Sequence, residues 1–266
     1  MLEDRCWKLH VMKYDVKIKT ENDIKILRES GKRLARVLQA VKNEVRPGVT
    51  TQHLNDFVHD MIVEMGDKPA FLHYQPFGAD YPYPGSICIS VNDEVVHGIG
   101  GEYVLKEGDI VGLDGGVTHK GMISDSAITV PVGKITKEEE ELIEVTKKAL
   151  MAGIHAAENG KYVNDISRAI EKAIPKKYGI VKILSGHGVG YKVHEEPYVP
   201  NFDDGVKGPK LVKGMVLALE PMVNLGTDEV YLADDGYTFK TRDGKKSAHF
   251  EHTILITDGK AEIITQ

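Results

Sequence analysis

The sequence of 266 residues is poor in cysteine, in tryptophan and in long apolar runs. Its two cysteines, Cys6 and Cys88, offer neither a disulfide framework nor a thiolate zinc site. No segment approaches the roughly 18 apolar residues of a membrane span. The first twenty residues hold five Lys or Arg but no apolar run of signal-peptide length. A surplus of positive charge is missing too: 34 Lys and Arg face 40 Asp and Glu, a net charge of -6, which leaves no basic field for nucleic acid. What these absences leave is a soluble, cytoplasmic α/β or α+β protein, long enough to bury a sizeable core. No exposed heptad or apolar patch can be read, so a monomer is the default expectation.

What is present centres on residues 105 to 127, LKEGDIVGLDGGVTHKGMISDSA. Ile110, Val111 and Leu113 make an apolar run ending in Asp114, and eleven residues later Asp125 sits between two serines ahead of the β-rich run Ala127 to Val132. A turn over Thr118 to Gly121 predicts a hairpin, with His119 exposed at its tip. An acid on a buried strand needs a cation or hydrogen-bond donors, and two acids facing one interior repel unless something positive lies between them.

Ahead of this hairpin, residues 1–19 read as an N-terminal arm. Thr20 to Asp23 predicts a capping box, and Ile24, Leu27, Leu34, Leu38 and Val41 step at helical spacing until Pro47. A second helix begins at Thr51, followed by a Pro-, Tyr- and Gly-rich loop over residues 68–85. Its aromatics (Phe71, Tyr74, Phe77, Tyr81, Tyr83) suit either packing or a pocket rim. Strands then follow at Ile87 to Val91 and at Val95 and Val96, leading to His97-Gly98.

The same order returns after the hairpin. Thr136 to Glu139 caps a helix, Gly160 leads into another, and His187-Gly188 echoes His97-Gly98. Leu211 to Glu220 echoes Leu105 to Asp114, glycine on glycine and acid on acid, and Phe250-Glu251 stands where Ser124-Asp125 stood. This predicts one domain over residues 20–266 made of half-repeats, about 20–133 and 134–266. A pseudo-twofold would bring Asp114, Asp125, Glu220, Glu251 and one or both histidines to its centre, with helices outside.

Four carboxylates and an imidazole suit two divalent first-row ions about 3.5–4 Å apart, and such a pair supports hydrolysis by activating water and stabilising an oxyanion. Singly these residues are ordinary: a strand-end acid, a turn histidine before glycine. His252 is read as structural, Glu195 and Glu196 as a solvated loop, and Cys88 as pocket-lining rather than a nucleophile.

Taken together, His97, Asp114, Asp125, His187-Gly188, His194 to Pro197, Glu220 to Met222 and Glu251 to Thr253 resemble the methionine aminopeptidase family from residue 20 to the C-terminus. The 32 residues between His187 and Glu220 leave no room for the helical insertion of type II enzymes, so type I is implied. The resemblance implies a pita-bread α+β fold, with a central antiparallel sheet covered by helices. It implies removal of the initiator methionine from nascent chains with a small second residue, through a metal-bridging water, possession of two ions (Co, Mn, Fe or Zn), and work near the ribosome. It implies Asp114, Asp125, His187, Glu220 and Glu251 as ligands, Glu220 as proton shuttle, His97 and His194 against the substrate, and Tyr83, Cys88, Val193 and Tyr237 around the methionine side chain. Val193 replaces the usual Phe and Tyr237 the commoner Trp, and Gly115-Gly116 and Ser124 also depart from the pattern.

Two rivals share the fold. Proline-directed peptidases have much the same ligands but carry an extra N-terminal domain, which some twenty residues cannot supply. Non-enzymatic binding relatives lose ligands, whereas all five stand here.

Overall fold

The computed structural model describes residues 14–76 and 78–266. Most of the predicted arm, with Cys6, and Phe77 of the aromatic loop lie outside the described residues.

Four helices form where the periodicity places them: α1 (Glu21–Glu44), α2 (Thr51–Glu64), α3 (Lys137–Ala156) and α4 (Val163–Ala173). Thr20 and Asp23 close a reciprocal capping box on α1, and Thr136 and Glu139 do the same on α3, satisfying backbone N–H groups that a helix start leaves free. α1 stops at Glu44, three residues before Pro47, with Val45 already extended.

Beside two small three-stranded sheets, a nine-stranded antiparallel sheet holds the site: β1 (Lys68–Pro69), β2 (Ile87–Val91), β3 (Ile110–His119), β4 (Met122–Pro131), β5 (Ser185–Gly188), β6 (Glu195–Pro200), β7 (Val216–Leu219), β8 (Glu251–Leu255) and β9 (Glu262–Ile263). β4 and β8 pair at its centre. From that pair the order runs β4-β3-β2 one way and β8-β7-β5 the other, so each half contributes the same succession of strands. Each half also brings its own core. Leu34, Leu38 and Val41 of α1 and Leu54, Val58 and Ile62 of α2 pack with Ile89 and Leu113, while Leu142, Leu150, Ile166 and Ile170 of α3 and α4 pack with Leu217 and Ile254. Strands buried beneath helices on one face turn their other face to the cleft described below.

Three expectations are corrected. Asp114 does not end its strand: β3 runs on to His119 and leaves the acid in mid-strand, because Gly115 to Val117 keep pairing with β4. His119 is not exposed. It is 7% accessible, and its Nδ1 lies 2.7 Å from Asp67, which also takes Arg33 of α1 at 3.1 Å. Glu195 is not solvated, since Lys19, 176 residues earlier, reaches its Oε2 at 2.5 Å with the two side chains only 1% and 4% accessible. The backbone N–H groups of Tyr191 and Lys192 donate to its other oxygen. Gly190 makes this possible, because a Cβ there would stand 2.5 Å from the Lys19 side chain. His252, read as structural, bonds Thr265 Oγ1 through Nδ1 at 2.9 Å.

Removing one partner of a buried pair leaves the other charge uncompensated. Lys19→Met is therefore expected to cost about 3–5 kcal/mol in urea denaturation of the full chain. A loss under about 1 kcal/mol, the size of an exposed pair, would show that Glu195 finds water instead.

Candidate metal centre

Strand register assembles the acids. Asp114 pairs with Ala127 and Gly116 with Asp125, so the two aspartates are diagonal neighbours on one face of β3 and β4. On the other side of Ala127 stands Glu251, which faces it across the central β4–β8 pair. The small alanine between two acids leaves the space above it open. In the second half His187 of β5 faces Ala218 of β7, and Glu220 follows two residues later, on the same side by alternation.

The strands are held together by hydroxyls beside the acids. Thr253 Oγ1 donates to the carbonyl of Asp125 at 2.7 Å and accepts from its N–H at 2.9 Å. Ser126 Oγ donates to the carbonyl of Glu251 at 2.7 Å. These hydroxyls tie the strands beneath the acids to one another without drawing on the carboxylates.

One oxygen on each of three acids lacks a protein partner. Asp114 Oδ1, Asp125 Oδ1 and Glu251 Oε1 are buried with no hydrogen-bond partner among the described residues. Burial pushes Asp114 up to about 7, and burial together with the neighbouring acids pushes Asp125, Glu220 and Glu251 well above the carboxylate range. The imidazoles go the opposite way. Burial lowers His97 to about 4 and His187 to about 3, leaving both neutral at ordinary pH. His187 Nδ1–H donates to the Gly188 carbonyl at 2.9 Å, which turns the Nε2 lone pair toward the acids. Nε2 lies 3.3 Å from Glu220 Oε1. One donor atom each from Asp125, His187 and Glu251 lie within 4.8 Å of one another, with Asp114 and Glu220 alongside. Crowded hard oxygens, orphaned and mutually repelling, with one oriented neutral imidazole, fit a divalent first-row ion.

The acids floor a cleft that opens to solvent. All eleven residues singled out from sequence line it: Asp114, Asp125, His187, Glu220 and Glu251; His97 and His194; Tyr83, Cys88, Val193 and Tyr237. The last four join Phe71 in one apolar cluster. The Tyr83 hydroxyl donates to the Gly98 carbonyl at 2.8 Å, and the Tyr237 ring meets Tyr83 edge-on at 5.2 Å. Burial raises Cys88, which keeps it a thiol. His97 holds its place through a left-handed backbone, φ 61°, followed by Gly98, where a Cβ would meet the Ile89 carbonyl oxygen at 2.3 Å. His194 stands solvent-exposed at the mouth, its Nδ1 2.9 Å from the Tyr74 hydroxyl.

Phe71, Tyr74 and Pro76 also line the cleft, the first two from the loop that sequence reading left between packing and rim. Gly116 explains itself here, since a Cβ would stand 2.8 Å from Ala70 and 3.0 Å from the Phe71 ring. One residue went unnoticed in the sequence: His249, fully buried, with Nε2 3.7 Å from Glu220 Oε2. Its position two before Glu251 was the available signal.

Comparison with known proteins agrees with this geometry. The profile of Metallopeptidase family M24 matches residues 25–258. Methionine aminopeptidase from Aquifex aeolicus is 46% identical over 256 residues, covering 94% of this chain and 99% of its own. The crystal structure of methionine aminopeptidase from Thermotoga maritima superposes with a TM-score of 0.90 at 38% identity, covering 94% and 99%. A prolidase from Pyrococcus furiosus shares the fold alone, with a TM-score of 0.72 at 22% identity, 94% of this chain and 65% of the prolidase being covered.

Acids that hold protons must release them to take up a cation. With burial raising Asp114 to about 7 and the other three acids raised as well, affinity rises with pH. Calorimetric titration of the metal-free protein with Mn²⁺ is expected to show proton release, and a dissociation constant at least about fivefold larger at pH 6 than at pH 7. A pH-independent affinity would mean that the acids are already ionised.

Proposed function

The chain belongs to metallopeptidase family M24, and from that premise we propose that it is a methionine aminopeptidase, a metal-dependent exopeptidase that hydrolyses the first peptide bond after an N-terminal methionine. The observation that carries this reading is the meeting, in one cleft, of five metal-type donors with an apolar wall.

Asp114, Asp125, His187, Glu220 and Glu251 hold divalent ions, two by the number of donors, with Co, Mn, Fe or Zn all suited to the set. When bound, these ions supply Lewis acidity and lower the pKa of water. The chain's own groups do the rest. Phe71, Tyr83, Cys88, Val193 and Tyr237 take the methionine side chain, and with no charged group among them they favour an apolar thioether. Tyr83 and Tyr237 turn their hydroxyls to backbone carbonyls and present only ring to the pocket. Val193 is smaller than the Phe of related enzymes and leaves more room at that wall.

His97, neutral in its buried seat, lies against the substrate's α-amine and accepts from it without opposing its charge. His194 has Nδ1 engaged by Tyr74, so Nε2 faces the cleft and donates to the scissile carbonyl. Glu220 takes a proton from the attacking water on its cleft-facing oxygen and returns it to the leaving nitrogen. A raised pKa suits a carboxylate that must both accept and release a proton.

The substrates are nascent chains whose second residue is small, met in the cytoplasm near the ribosome. No described helix is long and apolar enough to cross a membrane, and the acidic net charge offers no nucleic-acid surface. Residues 20–266 act as one catalytic domain of two half-repeats, preceded by an arm, and the protein works as a monomer.

The Mn²⁺-loaded protein is expected to release methionine from Met-Ala-Ser and to leave Xaa-Pro peptides intact. Release of Xaa from the latter alone would move the protein to the proline-directed branch. Glu220→Ala is expected to lower kcat/KM by about 10²–10⁴-fold, and retained activity would place the chemistry elsewhere.

A further inference from the structure

His249 lies outside the eleven residues above and faces the same carboxylate from behind. It ends the strand Ser247–His249 and is 3% accessible. Its Nε2 is buried without a hydrogen-bond partner among the described residues. That atom lies 3.7 Å from Glu220 Oε2, while Oε1 of the same group lies 3.3 Å from His187 Nε2. Glu220 is thus set between two imidazoles, one at each oxygen.

The position is firmly built. His249 N–H donates to Thr129 Oγ1 at 2.9 Å, and Thr129 Oγ1 donates back to the His249 carbonyl at 2.8 Å. Across the strand pair His249 faces Met222, two residues after Glu220. Native structures rarely leave a buried polar nitrogen unpaired, and an unpaired one pointing at a carboxylate asks for a reason.

We propose that His249 is a positioning residue for the metal centre: its Nε2–H donates to Oε2 of Glu220 and fixes Oε1 toward His187. The inference rests on the reading of Glu220 as a metal ligand. A carboxylate left alone can rotate to offer either oxygen or both, whereas one held at Oε2 offers a single oxygen in a set orientation. A hydrogen bond at about 2.7–3.0 Å needs a shift of under about 1 Å, within reach of a side-chain rotation. Such partners behind a ligand fix its orientation, and losing them weakens binding about 10–100-fold.

The test is calorimetric titration of the metal-free full chain with Mn²⁺, for the wild type, His249→Leu, His249→Gln and Glu220→Ala. His249→Leu keeps bulk without a donor and is expected to weaken binding about 10–100-fold. His249→Gln restores an N–H donor and is expected to return affinity to within about threefold of the wild type, which a packing role would not predict. If a folded His249→Leu binds like the wild type while Glu220→Ala does not, the inference fails and the ligand reading stands. If Glu220→Ala also binds like the wild type, the ligand reading itself fails. Equal weakening in the leucine and glutamine variants would overturn the positioning role. Should the leucine variant not fold, the wild type decides. On adding Zn²⁺, the His249 Nε2–H proton must appear in NMR spectra as a slowly exchanging downfield resonance, and its absence overturns the proposal.

Discussion

Four carboxylates buried within one cleft are a constraint that the surrounding structure must answer. In isolation such a cluster resists ionisation: burial raises Asp114 to about 7, and burial with mutual repulsion raises the other three well above the carboxylate range. Either the protein holds protons it would not hold in water, or a divalent ion takes their place. Among the described residues no Lys or Arg lines the cleft, and its imidazoles His97 and His187 are kept neutral by burial. Each nearby choice of residue points the same way, toward preserving unmet negative charge rather than quenching it. Spending hydroxyls of Thr253 and Ser126 on the backbone instead of on carboxylate oxygens is part of that pattern.

Holding charges this close demands stiffness, and the symmetric sheet provides it. The acids stand on three strands and just past the end of a fourth, near the β4–β8 seam, each half pinned by its own helical core on the opposite face. Repulsion between Asp125 and Glu251 acts to part β4 from β8. The pair Glu251–Ala127 and the paired hydroxyl contacts of Thr253 oppose that motion at the point where it would begin. Small residues matter as much as large ones here: Ala127 leaves the gap between acids open, and Gly116 lets Phe71 close the pocket beside them.

Much of this was legible in the sequence because it is local or repeated. Helix starts follow from Thr20 with Asp23 and from Thr136 with Glu139, and the hairpin from alternation around Lys120-Gly121. The acids could be found because the second half repeats the order of the first, so that Asp114 finds its counterpart in Glu220. What stayed hidden depends on partners far along the chain. Nothing near Glu195 announces that Lys19 will bury it, and nothing near His119 announces Asp67. An exposed loop and a buried ion pair have the same composition; only the fold decides between them. His249 stayed hidden for another reason, since its neighbour Glu251 already accounted for the motif.

The Lys19–Glu195 pair shows why such hidden contacts bear on the site. Glu195 follows His194 directly and gathers the N–H groups of Tyr191 and Lys192 on one oxygen, while Lys19 occupies the other. The segment between Gly190 and Glu195 carries Val193 into the pocket and His194 to its mouth. Its conformation is therefore set from behind by a residue just ahead of α1, with Ile123 of β4 donating to the Gly190 carbonyl as a further tie. Val193 and His194, which line the cleft from the second half, lean on the first half's N-terminal edge. Pocket shape and metal floor, though built from separate strands, are thereby kept in one frame.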